Sequence, residues 1–334
     1  MAGACCGLAL LAALTSGLGA QGGAAGARPH VWTPPRLADG HPDLEGTWEN
    51  NVATPLERPP QLAGKPLLSE QELDALVRRA RATFTPASDA MFGDALYLAL
   101  VANQGPSTDA VGNYSQNWLP DRYFERRTSL ITDPPDGRLP PMTDEATRRL
   151  RAAGASRGRR PERAQDLSLP NRCVAFGIPD LFAAYMSVYR ITQSPDDVAI
   201  EFEKMHDARV IPTDGRPRIA SVIYQYEGDS RGRWDGDTLV IETTNFHPNG
   251  NPMGGIFNRA SEHLKLTERL VRVSADTIEY TFTVDDPATW TRPWTAMIPW
   301  KRSKGELQEY ACHEGNYSMR GMLAAARAEE AGSH

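Results

Sequence analysis

Glu268 recurs at the same parity as Leu264, Leu266 and Leu270, so on a strand all four share one face. A carboxylate on a leucine face is costly to ionise unless paired, and burial raises its pKa into the range useful for proton transfer. The same placement also fits a structural ion pair with an arginine such as Arg209 or Arg231. His206 continues the parity of Val198, Ile200 and Phe202 and titrates near neutrality. Glu309 and His313 stand four apart beside Cys312, on one parity of an expected last strand from Leu307 to Cys312. His206, Glu268, Glu309 and His313 are therefore the expected acid–base group, gathered at a barrel mouth. Trp290, Trp294 and Trp300 follow Tyr224, Tyr226 and Trp234 in the chain, and such rings suit a sugar or a flat organic ligand as well as they suit core packing. Arg209, Trp234, Asn245 and Trp294 are the expected ligand contacts.

Other chemistries lack their patterns. There is no His-Glu-x-x-His, His-x-His or Cys-x-x-Cys, so a metal-free site is expected, with the scattered set His206, His313 and Glu309 as the zinc alternative. The Gly-x-Ser-x-Gly elbow, the P-loop and the Gly-x-Gly-x-x-Gly fingerprint are absent, so no cofactor is expected. Asp229-Ser230-Arg231-Gly232, Asp235-Gly236-Asp237 and Asn249-Gly250-Asn251 lack the ligand spacing of a calcium loop and read as turns.

The elements that must position these residues change character along the chain. Ser69 with Glu72 forms a capping box, and Leu73, Leu76, Val77 and Ala80 keep helical spacing over 69–84. A second helix is expected from Thr143 through Ala153, with two short extended runs between Thr128 and Leu139. Seven arginines within residues 148–163 read as a solvated helix end and loop. From about residue 180 the period becomes two: Val198 to Phe202, Leu239 to Ile241, Leu264 to Leu270, Ile278 to Val284 and Trp294 to Ile298. A short helix from Met319 to Glu330 closes the chain. Antiparallel strands at this spacing predict an α+β protein, with a helical and irregular N-terminal portion over 67–170 and a β-barrel-like core over 171–334. Gly46-Thr47-Trp48 resembles the Gly-x-Trp first strand of lipocalin-like barrels.

Residues 7–20 form a short apolar run ending in small residues, as in a secretory signal, with cleavage expected after Ala20 or near Ala25-Gly26-Ala27. Residues 21–66 read as a Pro/Gly-rich linker leading into that first strand. The run is too short to span a bilayer, so no membrane insertion is expected. Net charge is −6, which gives no basic field for nucleic acid. Removal of a leader carrying Cys5 and Cys6 leaves Cys173 and Cys312, an even pair that in a periplasmic or secreted chain predicts a disulfide.

Longer phrases carry a family resemblance. Met205-His206-Asp207-Ala208-Arg209-Val210-Ile211-Pro212 is one, and Gly228-Asp229-Ser230-Arg231-Gly232-Arg233-Trp234 running on to Val240 is another. Glu242-Thr243-Thr244-Asn245-Phe246 and Tyr310-Ala311-Cys312-His313-Glu314-Gly315-Asn316-Tyr317 complete the set. From about Asp43 to Glu330 the chain resembles a large family of exported bacterial proteins with no established chemistry, so the resemblance implies export and no catalytic residue. The residues themselves leave two expectations: an enzyme acting on a small organic or carbohydrate substrate by acid–base chemistry, as a lyase, isomerase or hydrolase, or a lipocalin-like ligand-binding protein. The four acid–base residues meeting in one pocket would favour the first, and arginine-paired carboxylates under closed packing the second.

Overall fold

The computed structural model describes residues 32–85, 88–105, 115, 121–157, 160–248 and 260–332. The expected leader, its cleavage sites, Cys5 and Cys6, and the Asn249-Gly250-Asn251 turn lie outside these residues.

The protein is α+β. Among the described residues ten strands build one antiparallel sheet: β1 (Gly46–Glu49), β2 (Ile131–Asp133), β3 (Val188–Gln193), β4 (Asp197–Phe202), β5 (Ala208–Pro212), β6 (Asp229–Asp235), β7 (Thr238–Thr244), β8 (Lys265–Ser274), β9 (Thr277–Asp285) and β10 (Trp294–Arg302). Nine follow the order β5-β4-β3-β1-β10-β9-β8-β7-β6, and β2 pairs with β10 from the side. The sheet curls into a nearly closed barrel, so that its two end strands come together. Gly232 of β6 makes this approach possible, because a Cβ there would stand 3.0 Å from Ile211 Cγ2 and 2.9 Å from Thr213 Cγ2.

The alternation read from the sequence is the alternation that fills the barrel. Val198, Ile200 and Phe202 of β4, Leu266 and Leu270 of β8, and Ile278, Tyr280, Phe282 and Val284 of β9 all point inward and are buried. Trp48, from the Gly-x-Trp segment, is fully buried; its indole Nε1 donates to the Leu44 carbonyl, and the Arg272 and Arg302 guanidinium groups lie over its ring. Tyr189, Trp300 and Tyr280 stack through the interior at 4.5 and 4.4 Å between ring centroids. The barrel is therefore a packed core.

Four helices among the described residues lie outside the sheet: α1 (Glu70–Thr83), α2 (Ala95–Val101), α3 (Asp144–Arg157) and α4 (Tyr317–Ala331). The Ser69 side chain accepts from the Glu72 backbone N–H, and the Glu72 carboxylate accepts in return from the Ser69 N–H, which is the expected capping box. Phe84, Leu96, Ala99 and Leu100 form a second small core beside α1 and α2. Arg122 fastens this region to the chain after β1 by donating to the carbonyls of Asn51, Val52, Met91 and Gly93.

Two readings are corrected. Asp229-Ser230-Arg231-Gly232 is the start of β6 and not a turn, since it pairs with Thr244 through Ile241 of β7. Leu307 to Cys312 forms no strand. This segment is held by a side chain and a covalent bond in place of a ladder: Glu203 takes a backbone hydrogen bond from Gln308, and Cys312 is bonded to Cys173.

Candidate active site

Glu268 is buried inside the barrel, but its chemistry is spoken for. Arg209 donates Nη1 to Oε1 at 2.9 Å and Nη2 to Oε2 at 2.7 Å, and the Tyr280 hydroxyl donates to Oε1 at 2.7 Å. Arg209 Nη2 also reaches Ser230 and Thr243. This is the ion-pair alternative for Glu268, with Arg209 the partner. His206 leaves the strand face: it sits in a 3-10 turn after β4 with its side chain half exposed, Nε2 3.5 Å from Glu201 Oε1. Its place outside the barrel follows from the chain turning out of the sheet at Glu203, which ends the parity that the sequence extrapolates. Glu309 and His313 are exposed, and without a last strand they share no strand face. Glu309 lines a groove with Met205, the neighbour of His206, whereas Glu268 stays in the interior.

The expected ligand contacts are spread. Trp294 is core, edge-on to Phe282 and Trp290. Trp234 stacks on His41 at 4.8 Å. Asn245 clasps a loop by donating to the Ala220 and Ile223 carbonyls. Among the described residues no three His, Cys, Asp or Glu side chains are grouped as a metal would need, the set His206, His313 and Glu309 included.

The reactive groups lie instead at the barrel end where β4 runs into β5. Asp207 follows the His206 turn, and Glu227 precedes β6 through Gly228, which turns with φ +70° where a Cβ would meet Thr243 Cγ2 at 2.6 Å. Both carboxylates line a recess with Phe176, Asp180, Phe202 and Lys204, and the space within is about 10 Å³, enough for a water-sized group. Glu227 Oε1 accepts from the Gly177 N–H at 3.1 Å, while Oε2 is shut off from solvent with no hydrogen-bond partner. Burial, with the charge of Asp207 adding to it, pushes the Glu227 carboxyl up to about 7. Burial pushes Asp207 up to about 6.

The cations nearby are committed elsewhere. Lys204 Nζ donates to both Asp180 oxygens at 2.8 and 2.7 Å, to the Phe182 carbonyl and to Ser187. Asp180 also accepts from the Tyr189 hydroxyl at 2.8 Å. These bonds tie Asp180 and Lys204, which both line the recess, to Phe182 and Ser187.

Phe176 also lines a second, larger hollow of about 530 Å³. Its walls are the turn at Pro170 and Asn171, Tyr185 and Met186, Met205, and the segment from Glu309 to Ser318. Cys173 and Cys312 close this wall covalently with Cα atoms 5.8 Å apart, and Asn316 adds a bond to the Asn171 carbonyl while capping α4. Cys173, Ala184, Met186, Met205 and His206 all have φ between 45° and 65°. A side chain in the left-handed region costs about 1 kcal/mol, and such residues gather where a surface is shaped for use. Only Asn103 and Asn245 share this conformation elsewhere among the described non-glycine residues.

Asp207 and Glu227 escaped the sequence reading because each stands outside a periodic strand. The signal available for Asp207 was its place next to His206. Glu227 had only the following glycine. Among the described residues no helix is long and apolar enough to cross a membrane. Comparisons of the chain with protein-family models, with curated proteins and with solved structures return no match.

Proposed function

We propose that this protein is an exported enzyme acting on a small organic or carbohydrate substrate, with Glu227 and Asp207 as proton donor and acceptor. The observation that carries the reading is the state of Glu227: a carboxyl pushed up to about 7, with one oxygen buried and unpartnered, in a recess beside a second raised carboxyl. A general acid or base works best when its pKa lies near the working pH, and two carboxyls held at different values can divide the roles. The set His206, Glu268, Glu309 and His313 gives way to this pair, because Glu268 is held by Arg209 and the other three stand outside the barrel.

The lipocalin-like reading keeps one support, the groove beside Phe176, which has the size of a small-molecule site. The barrel interior gives it none, being filled by Trp48, Trp294, Tyr189 and Phe282. The Cys173–Cys312 bond supports a periplasmic or secreted setting.

The test is turnover of a mixed library of small metabolites, followed by mass spectrometry. Conversion by the wild type should change with pH across the range of the two carboxyl values and vanish in Glu227→Gln and Asp207→Asn. A conversion that survives both substitutions overturns the assignment, and binding without conversion leaves the carrier reading.

A further inference from the structure

We propose that the ligand is an organic cation, with a flat apolar body in the groove and a protonated amine head lodged against Asp207 and Glu227. The proposal rests on the reading of these two carboxylates as the working groups of the site.

The groove supplies the first argument. Phe176, Tyr185 and Tyr310 line it with aromatic rings and Met186 and Met205 with polarisable thioethers, and the Lys204 ammonium already lies 4.9 Å from the Phe176 ring centroid. Such walls take a ring by stacking and sulfur contact, and aromatic faces attract cations besides. The volume of about 530 Å³ suits one small molecule. Met186 and Met205 are held at φ 45° and 61°, so two of the walls are kept in place against their own backbone preference.

Charge supplies the second. The groups that face Glu227 are Asp207, Arg209 and Glu268. Arg209 is neutralised by its two bonds to Glu268, and Lys204 by its two bonds to Asp180. The recess thus holds three carboxylates, Asp180, Asp207 and Glu227, against the single cation Lys204, and Glu309 adds a carboxylate at the groove. The neighbouring His206 faces Glu201. An anionic ligand would meet only like charge at Asp207 and Glu227. A neutral donor could hydrogen-bond the buried Glu227 Oε2 but would leave the negative charge of Asp207 beside it unopposed. An ammonium head offers it a charge-assisted hydrogen bond. Its arrival favours the ionised form of Glu227, so at neutral pH the carboxyl proton leaves to the buffer as the ligand binds.

The experiment is calorimetry on the full-length mature protein with three probes of one shape: phenethylammonium, phenylethanol and hydrocinnamate. Phenethylammonium should bind about tenfold or more tightly than either analogue. Its heat should change with the ionisation enthalpy of the buffer, reporting proton release, and its affinity should rise with pH through neutrality. Glu227→Gln, checked for an unchanged fold by thermal melting, should lose that tenfold for the ammonium and leave phenylethanol unaffected. Hydrocinnamate binding as well as the ammonium overturns the cation assignment while leaving the acid–base reading intact. Failure of all three probes to bind overturns the groove as the seat of an aromatic body. Loss of library turnover in Glu227→Gln for a substrate without an amine would also sink the cation and spare the enzyme.

Discussion

At the scale of single residues, the carboxylates of this protein divide by what they face. Glu268 faces a guanidinium and two hydroxyls, whereas Glu227 has one backbone N–H and the charge of Asp207 beside it, the nearby Arg209 being bonded to Glu268. The difference predicts opposite responses to loss of charge. Glu268→Gln leaves Arg209 buried with half its partner gone, and should cost about 3–5 kcal/mol in urea unfolding. Replacing the pair together, Arg209→Met with Glu268→Leu, should recover most of that loss. Glu227→Gln should stabilise. Its folded pKa of about 7 stands above the ordinary 4.5, so the folded protein holds the extra proton and stability falls as pH rises between those values. The variant should gain about 1–3 kcal/mol above neutrality and nothing in acid, as read from melts across that window. Equal gains at both ends would remove burial of a charge as the cause. The burial of Glu268 was legible in the sequence, because parity with three leucines is a strand property, and Arg209 was among the partners it pointed to. Glu227 was not legible, because its surroundings come from Gly177 and Asp207, which pack against it through tertiary structure alone.

At the scale of elements, strands buried on one face are the legible ones. β4, β8, β9 and β10 keep alternation over most of their lengths. β6 reads as a turn because Asp, Ser, Gly and Arg dominate it, and its place in the sheet depends on the hairpin to β7 and on Gly232 nesting against β5. The turn from Lys204 to His206 shows the other limit: periodicity cannot announce where the chain leaves the sheet. That turn carries a further prediction. His206 is half exposed, with φ 54° and an ion-pair contact to Glu201. If its place in the chain is structural, His206→Gly removes the left-handed penalty and should be about 1 kcal/mol more stable than His206→Ala, which keeps it. Turnover and ligand binding should survive both. Loss of activity in His206→Gly with an intact fold would return the histidine to the catalytic group.

At the scale of the whole molecule, one covalent bond joins the two halves of the groove. Cys173 ends the turn that starts at Pro170, and Cys312 lies 139 residues further on, beyond the barrel. The pairing was legible from the cysteine count, and its structural meaning was not, since the segment bearing Cys312 is no strand. Helix α4, next in the chain, is weakly anchored by packing. Ala326 is its buried residue, and exposed ties include Arg327 to the Pro161 and Glu162 carbonyls, Asn171 to Met322 Sδ, and the Arg160–Glu329 pair. Exposed ion pairs are worth well under about 1 kcal/mol each, so they cannot hold a helix alone. The bond closes a loop long enough that its removal should cost about 2–5 kcal/mol. That loss should be spatially graded. Residues 303–331 should lose protection first, whereas β7 to β10 keep theirs, because their ladders and apolar faces owe nothing to the bridge. Hydrogen exchange on the Cys173→Ser, Cys312→Ser variant should therefore show fast exchange in α4 beside a protected barrel, together with weakened phenethylammonium binding as Tyr310 leaves the groove wall. Uniform loss across the barrel would mean that the bridge supports the core itself, and unchanged exchange in α4 would mean that Asn316 and Arg327 suffice to hold it.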